Sequence, residues 1–483
     1  MISSKILASA LLAASALGCH AASASLPSEK VKVLTTTTDL SADLTPSFID
    51  FGTSGTTPAA AIKLKPETEY QTIDGFGAAI TGSTAYNLLM MTPEDRAAFL
   101  KETFSPTEGF GMSYIRICIG CSDFSLSEYT CCDAEGIENF ALTDEETKYV
   151  IPVLKEILAY NPDLKIMASP WTAPKWMKVD NLTDLRPFDS WTSGHLNPKF
   201  YQDYATYFAL WIKAFEKEGI AIYAMTPQNE PLNRKNSASM FMGWDEQRDF
   251  VKTALGPTFS REGIDTKIYV FDHNYNYDNM PEQQSYPTKI YADEEASKYI
   301  AGAAYHNYGG HVDELLAINK ANPDKELVFS ESTAGNWNDG ANLQKRLVAD
   351  MEQITLGTVN NHCRGAIIWN LMLDSNRGPN RPKGCTTGFG AVDISDDFKT
   401  IRRNSFYYIM AQMSAGVRPG AKRIATEGFT ADGLTYSAFR NPDNTFALVL
   451  SNSNPEAVST AVDDGSRHFP VTIPAGGIVT LAW

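Results

Sequence analysis

Hydrophobic positions along the chain fall into short runs that alternate with longer amphipathic stretches. Between residues 73 and 370 each run is apolar or β-branched, ends in polar or aromatic residues, and so is typical of a buried strand. The pattern predicts eight such strands: Ile73–Ala79, Tyr114–Ile119, Leu164–Ser169, Ile222–Thr226, Lys267–Phe271, Gly302–His306, Glu326–Ser330 and Gly365–Trp369.

The stretches between these strands have helical spacing. Residues 92–104 open on Thr92 as an N-cap, and residues 200–219 end on Gly219, a residue suited to a helix C-terminus. In residues 144–160, Pro152 is awkward near the helix start. Strict alternation of strand and helix implies parallel strands, and eight units predict a (β/α)8 barrel over residues 71–415. A doubly wound open sheet is the alternative, but no glycine-rich phosphate turn follows the first strand.

The sequence pattern changes after residue 415, where short β-rich runs are separated by turn residues. Residues 416–483 therefore predict an antiparallel β-sandwich. Residues 25–70 also contain strand-like segments, and we expect them to join the same sandwich because isolated strands there would leave unpaired edges.

The N-terminus has the features of an export signal. Lys5 precedes an apolar run, Ile6 to Leu17, that is too short to span a bilayer. The sequence Ala-Leu-Gly-Cys predicts a signal peptide over 1–18 with a lipidated Cys19, whereas cleavage after Ala-Ser-Ala at 22–24 is the alternative. We expect an exported protein, an outer-membrane lipoprotein of a Gram-negative bacterium, whose membrane face the sequence leaves open.

The net charge and the motifs of the chain argue against several classes of function. The formal net charge of −16 argues against nucleic acid as a partner. The sequence has no HExxH motif and no paired histidine spacing, which would indicate a metal site. It also has no G-x-S-x-G motif, which would indicate a serine hydrolase. Four of the cysteines after Cys19 crowd into fifteen residues, so a local disulfide is the first interpretation and zinc the weaker one: Cys118, Cys121, Cys131 and Cys132, with Cys363 and Cys385 elsewhere.

The candidate chemistry lies at the strand ends, because the active sites of such barrels form at the carboxyl ends of the strands. Glu230 follows strand four and Glu331 follows strand seven, so two carboxylates should point into one mouth. Glycosidic bond hydrolysis needs such a pair, one protonated and one ionised. Each glutamate alone could equally be a surface charge, and Trp171 and Trp369 could equally be core residues.

Several motifs at these strand ends resemble glycoside hydrolase family 30. They occur in the family's order: DGFGAAIT (74–81), YIRICIGCSDFS (114–125), ASPWTAPKWMK (168–178), TPQNEP (226–231), QRDFVKTALGPT (247–258), HNY (306–308), FSES (329–332) and WNLMLDSNRGPN (369–380). The resemblance implies a retaining mechanism with Glu230 as acid/base and Glu331 as nucleophile, and no cofactor. It also implies a substrate-binding set of Arg116, Asp123, Phe124, Trp171, Asn229, His306, Tyr308, Trp369 and Asn380.

Departures from the family pattern concern the side of the site that receives the leaving group. Arg381 and Pro382 stand where an aromatic is expected, and the loop after Glu230 differs from that of glucosylceramidases. The loops resemble the branch of the family that acts on β-1,6-glucan, which we expect as the substrate. Glucosylceramidase, a broad β-glucosidase or β-xylosidase, and a binding-only carbohydrate lipoprotein are the alternatives.

Overall fold

The computed structural model describes residues 29–52, 60–275 and 280–483. The expected signal peptide, Cys19 and the alternative cleavage site lie outside the described residues, so export and lipidation stay predictions. In the described ranges, no helix is both long and apolar enough to cross a membrane.

Eight parallel strands form a closed barrel, as predicted. In chain order they are Gly75–Ala78, Tyr114–Ile119, Lys165–Pro170, Ala224–Met225, Lys267–Asn274, Ile300–His306, Glu326–Glu331 and Cys363–Ile368. Strand one pairs with strand eight, and from strand two to strand eight each strand pairs with the next one along the chain. A parallel bridge between Ala79 and Arg116 joins strand one to strand two and completes the ring.

Helices occupy the crossovers, as the amphipathic pattern predicted. Their bounds are Gly82–Met90, Pro93–Phe104, Ile151–Tyr160, Tyr201–Lys217, Trp244–Phe250, Gly256–Glu262, Tyr286–Tyr291, Glu294–Ser297, Glu314–Ala321, Leu343–Asp350, Leu356–Asn360 and Ser405–Gly416. Thr92 caps the second helix by accepting from the Asp95 amide, and Gly219 follows the fourth with φ of 80°. Pro152 is tolerated because the α-helix starts at Ile151, directly after a π-helical turn, Glu146–Val150.

Among the described residues, nine strands form the second unit, and they come from both the N-terminal and the C-terminal part of the chain. Their hydrogen-bonded order is Thr45–Asp50, Lys30–Thr37, Gly477–Ala482, Phe446–Asn452, Leu434–Arg440, Lys422–Gly428, Ala61–Thr72, Val458–Asp463 and His468–Ile473. One pair departs from the predicted antiparallel pattern, because Ala61–Thr72 runs parallel to Val458–Asp463. These two strands come from opposite ends of the chain, so no hairpin constrains their direction.

The six described cysteines are free thiols, so the expected local disulfide is not formed. Cys131 donates to Glu146 Oε1 at 3.5 Å, and Cys132 donates to the Gly136 carbonyl at 3.3 Å. These thiols therefore fill buried, hydrogen-bonded positions beside the barrel.

A buried glutamine joins the barrel to the sandwich. Gln412, on the helix Ser405–Gly416, donates through Nε2 to Thr36 Oγ1 at 2.8 Å. Its Oε1 accepts from Thr480 Oγ1 at 2.6 Å. Thr36 and Thr480 lie on neighbouring sandwich strands, so one amide satisfies a polar group on each of them.

Gln412→Leu should destabilise the protein, because the buried Thr36 hydroxyl would lose this donor, although Thr480 would keep the backbone carbonyl of residue 412 as an acceptor. We expect a loss of about 1–3 kcal/mol in the free energy of unfolding, measured by chemical denaturation. The same substitution at the exposed Gln344 is the control and should change stability little. Equal stability of the two variants would contradict the proposed link.

Candidate active site

The two glutamates predicted from the strand ends meet at the mouth of the barrel. Glu331 is the last residue of strand seven, and Glu230 lies in the loop after strand four with φ of 43°. The Glu230 amide donates to the Asp272 carbonyl at 3.0 Å, which holds this left-handed conformation in place. One carboxylate oxygen of each glutamate lies within 4.8 Å of the other. Inverting glycosidases need about 6.5–9.5 Å between such groups, whereas retaining enzymes place them about 5–5.5 Å apart.

Arg116, at the centre of strand two, binds the nucleophile candidate. Its side chain is fully buried and donates from Nη1 to Glu331 Oε2 at 2.6 Å. Nη2 donates to Asn229 Oδ1 at 2.7 Å and to Asp272 Oδ2 at 2.6 Å. Buried between two carboxylates, the guanidinium has a pKa raised above its ordinary value although burial opposes this. Arg116 thus fixes one oxygen of Glu331 and orients Asn229, next to Glu230.

Asp272 is the functional residue that the sequence analysis missed. It is fully buried and accepts hydrogen bonds from side chains on, or directly after, five different barrel strands: Arg116, Ser169, Thr226, His306 and Ser330. Burial raises the pKa of Asp272, but the Arg116 charge and the hydrogen bonds of His306 and Ser330 hold it far below the ordinary value. An ionised Asp272 is therefore the hub that aligns these strand ends.

A backbone irregularity directs Asp272 into the site. Strand five extends three residues beyond its predicted end, and Phe271 and Asp272 have φ of 72° and 64°. The register against strand six shifts between Phe271 and His273, as expected for a β-bulge. Polar residues after Phe271 were the signal that could have identified this strand end.

His306 lies between the two halves of the site. Its Nδ1 is 3.2 Å from Glu230 Oε1 and 3.8 Å from Glu331 Oε1, and its Nε2 is 3.0 Å from Asp272 Oδ1. Burial lowers the pKa of His306, but the surrounding carboxylates of Glu331, Asp272 and Glu230 raise it to about 9. At neutral pH the imidazolium therefore donates to both Glu230 and Asp272.

The two glutamates titrate as a coupled pair. Burial raises the pKa of Glu331, and repulsion from Glu230 adds to this against the attraction of His306 and Arg116. Burial alone would also raise the pKa of Glu230. The hydrogen bond with His306 and the attraction of His273 and His306 outweigh this effect and lower the pKa of Glu230 to about 2. The two carboxyl groups therefore exchange protons as one system, and the charge on one opposes ionisation of the other.

Aromatic side chains form one wall of the site. Trp171 and Trp369 stack with ring centroids 5.0 Å apart, and Phe124 meets Trp369 edge-on at 6.3 Å. The Arg116 guanidinium lies 5.0 Å from the Trp171 ring centroid. Tyr308, on the opposite side, donates to Glu331 Oε1 at 2.9 Å. Trp171 and Trp369 thus lie against Arg116, Tyr308 lies against Glu331, and Phe124 packs on Trp369.

Two unsatisfied acceptors lie beside this wall. Asp123 Oδ1 and Asn380 Oδ1 are buried and have no hydrogen-bond partner within the described ranges. Burial and the charges of Glu331 and Glu230 raise the pKa of Asp123 to about 7, against the attraction of Arg381. Sugar hydroxyls are donors that these two oxygens could accept from.

Arg381 stands where the family pattern has an aromatic residue, and its contacts explain this difference. Its buried side chain donates to the Ser122 carbonyl at 2.8 Å, to Glu128 at 3.0 Å and to the Ser237 carbonyl. Its backbone amide donates to the Ser125 carbonyl at 3.2 Å. Arg381 therefore ties together the loops after strands two, four and eight, and it fixes the segment that carries Asp123.

The carboxylates open into a cavity of about 670 Å³. Asp123, Phe124 and Trp369 line one part of it. The loop after strand four lines another part, with the polar and largely exposed residues Asn233, Arg234, Lys235 and Asn236. Asn233 and Asn236 both donate to Glu230 Oε2, at 2.8 and 3.2 Å. This is a site for a polar ligand larger than one sugar ring.

Glu230, His306 and Glu331 present donor atoms close enough together to hold a metal ion. His306 already faces carboxylates through both ring nitrogens, and Arg116 occupies one oxygen of Glu331. An added cation would compete with these two positive groups, so the donor set fits hydrogen bonding better than metal binding.

Two acids at this separation, at the mouth of a closed barrel walled by tryptophans, are the arrangement of a glycoside hydrolase of the retaining kind. The sequence defines the family: residues 73–416 match the glycosyl hydrolase family 30 TIM-barrel domain, and residues 420–481 match the family 30 β-sandwich domain. The chain belongs to glycosyl hydrolase family 30 and is a glycosidase, as the sequence motifs predicted.

The chain is similar in sequence to known relatives and in fold to a solved structure. The lysosomal acid glucosylceramidase of Mus musculus is 28% identical, with 87% of this chain and 83% of the relative covered. The endo-1,6-β-D-glucanase BGN16.3 of Trichoderma harzianum is 31% identical, with 85% and 84% covered. The solved structure of the endo-β1,6-glucanase BT3312 is 61% identical with a TM-score of 0.92, covering 94% of this chain and 99% of that one.

Asp123→Asn should change how activity depends on pH. A sugar hydroxyl that donates to Asp123 favours the ionised carboxyl, so the contribution of Asp123 to binding should grow as the pH rises through about 7. The ratio of kcat/KM between the native protein and the variant should therefore increase by about tenfold between pH 5.5 and pH 8. Asp144→Asn, at an exposed aspartate, is the control, and a ratio for Asp123→Asn that is equally flat would contradict the assignment.

Proposed function

We propose that this protein is a retaining endo-β-1,6-glucanase that acts by double displacement. The observation that carries the mechanism is the approach of the Glu230 and Glu331 carboxylates to within 4.8 Å. The similarity to endo-β-1,6-glucanases, one of them 61% identical, supports the linkage.

In the first step, Glu331 attacks the anomeric carbon of the bound glucosyl unit. The bond from that carbon to the glycosidic oxygen breaks, and Glu230 gives its proton to the departing oxygen. In the second step, Glu230 takes a proton from water, whose oxygen displaces Glu331 and releases the sugar with its original configuration. The catalytic groups return to their starting protonation.

The first step needs an ionised Glu331 and a protonated Glu230. The Arg116 contact at 2.6 Å stabilises ionised Glu331, and Tyr308 donates to its other oxygen. His306 Nδ1 lies 3.2 Å from Glu230 Oε1 and 3.8 Å from Glu331 Oε1, so a proton on either glutamate has a short path to the other. A sugar oxygen placed beside Glu230 would favour that transfer, because the proton then stabilises the charge that develops on the leaving group.

The residues beside Glu230 favour a carbohydrate leaving group over ceramide. The leaving oxygen must lie next to the acid, and Asn233, Arg234, Lys235 and Asn236 line the cavity there. Alkyl chains would desolvate these polar groups without satisfying them, which is costly. The described chemistry of this loop therefore supports a glucan over the glucosylceramide alternative.

Incubation with a linear β-1,6-glucan tests the substrate. We expect release of short oligosaccharides before glucose accumulates, because an endo-acting enzyme cleaves within the chain. Linear β-1,3- and β-1,4-glucans and glucosylceramide are the comparison substrates. Cleavage of glucosylceramide without release of reducing sugar from β-1,6-glucan would refute the proposed substrate.

Glu331→Gln and Glu230→Gln should separate the two roles. Glu331→Gln should lower kcat on every substrate by about four orders of magnitude, with the oligosaccharide Kd nearly unchanged. Glu230→Gln should slow cleavage of the glucan by about 10²–10⁴ but form the glycosyl-enzyme readily from a substrate whose leaving group needs no proton. The opposite pattern would reverse the assignment of the two glutamates.

A further inference from the structure

The mouth of the catalytic cavity carries an exposed tryptophan that the mechanism does not use. All eight tryptophans of the chain lie in its described part, and Trp337 is the only one classed as exposed, with 55% of its surface accessible. It lines the same cavity as Glu230 and Glu331. Buried Trp171 and Trp369 differ from it because they already stack on each other.

The position of Trp337 around the barrel ring places it on the leaving-group side. The groups suited to hold the attacked sugar, Asp123, Trp171, Trp369 and Asn380, follow strands two, three and eight. The cavity continues over the end of strand five and the loops after strands four, six and seven, where Asn274, Asn236, Tyr308 and Trp337 line it. The acid Glu230 also belongs to that sector, so the departing part of the substrate leaves across it.

The turn that carries Trp337 is held firmly. Trp337 is the central residue of a 3-10 turn, Asn336–Asn338, and lies six residues after Glu331. The Asn336 amide donates to the Thr387 carbonyl at 3.0 Å, and Gly335 forms a bridge with Gly388 in the loop after strand eight. A ring presented on a pinned turn can contact a ligand without a large cost in ordering.

Gly335 determines where the ring lies. A Cβ atom at this position would stand 2.2 Å from the Trp337 ring, so the indole packs directly over the glycine backbone. The backbone of Gly335 has φ of −154°, a value that any residue adopts. Glycine is therefore needed for the place of the ring and not for the path of the chain.

We propose that Trp337 is a stacking platform for a glucosyl unit of the leaving chain. This inference rests on the proposed function, because it names the part of a β-linked glucan that the cavity holds beyond the cleaved bond. The apolar face of a glucosyl ring offers its C–H groups to the indole, while its hydroxyls point to the polar loop around Asn236. Trp337 is thus a specificity-determining residue that selects for a sugar as the leaving group.

The test compares substrates with and without a sugar as leaving group. Trp337→Ala should lower kcat/KM on gentio-oligosaccharides about tenfold, mainly through KM. It should leave kcat/KM on β-glucosyl fluoride within about twofold, because a single fluorine cannot reach the platform. Trp337→Phe should recover most of the loss, since it restores an aromatic face.

Gly335→Ala gives an independent variant, because it displaces the indole without removing it. It should lower activity on gentio-oligosaccharides and spare β-glucosyl fluoride, as Trp337→Ala does. Phe48→Ala removes an aromatic that is 65% exposed in the sandwich, and it should change neither activity. An equal loss on both substrates, or no loss on either, would overturn the platform.

Failure of the proposed function would give a different result. If the native protein hydrolyses β-glucosyl fluoride but not β-1,6-glucan, the linkage is wrong, and the variants are then compared on the β-1,3- or β-1,4-glucobiose that it cleaves. A selective loss on that disaccharide would still support the platform. Cleavage of no glucobiose at all would overturn it, because no glucosyl leaving group would then be accepted.

Discussion

Arg116 and Asp272 are both fully buried, and neither could stay charged there without the other. Their ion pair at 2.6 Å offsets part of the desolvation cost, and the remaining hydrogen-bonding capacity is satisfied by Ser169, Thr226, Ser330, Asn229, His306 and Glu331. The strand ends must therefore keep their mutual register for the pair to stay satisfied. The same requirement holds Glu331 and His306 in place, so the stability of the barrel mouth and the geometry of the catalytic pair depend on one set of contacts.

The charge balance of this cluster explains how a proton is kept available. Two cations, Arg116 and His306, face the three carboxylates Asp272, Glu230 and Glu331. With Asp272 committed to the ion pair, the two glutamates share the remaining positive charge and cannot both ionise at low cost. A retained proton is what acid catalysis needs, and its location is decided by the groups next to each glutamate. The cluster therefore opposes full ionisation of the pair, and a bound sugar can decide which glutamate holds a proton.

The strands, the helices and the glutamate pair were predictable, because each has a local signal in the sequence. Apolar runs gave the eight strands, and a barrel places the ends of strands four and seven at one mouth. Asp272 was harder to predict, because the apolar run ends at Phe271 and the bulge that turns Asp272 inwards depends on the pairing of strand five with strand six. The parallel pairing of Ala61–Thr72 with Val458–Asp463 was also hard to predict, because it joins residues 400 positions apart, such as Ala61 and Ala461. Long-range register, unlike periodicity, is decided by contacts that single segments do not record.

The loops, and not the barrel, account for what this family member accepts. Arg381 replaces an expected aromatic with a charged group that binds three loops at once, so the wall beside Asp123 is held by hydrogen bonds and not by apolar packing. Across the cavity, the loop after Glu230 presents amides and basic side chains, and Trp337 presents an exposed aromatic face. A leaving group that fits both the polar loop and the Trp337 ring must be polar at its edge and apolar on one face. A pyranose ring has this character, whereas a long alkyl chain has only the second property, so the same catalytic pair can serve different substrates when only these loops change.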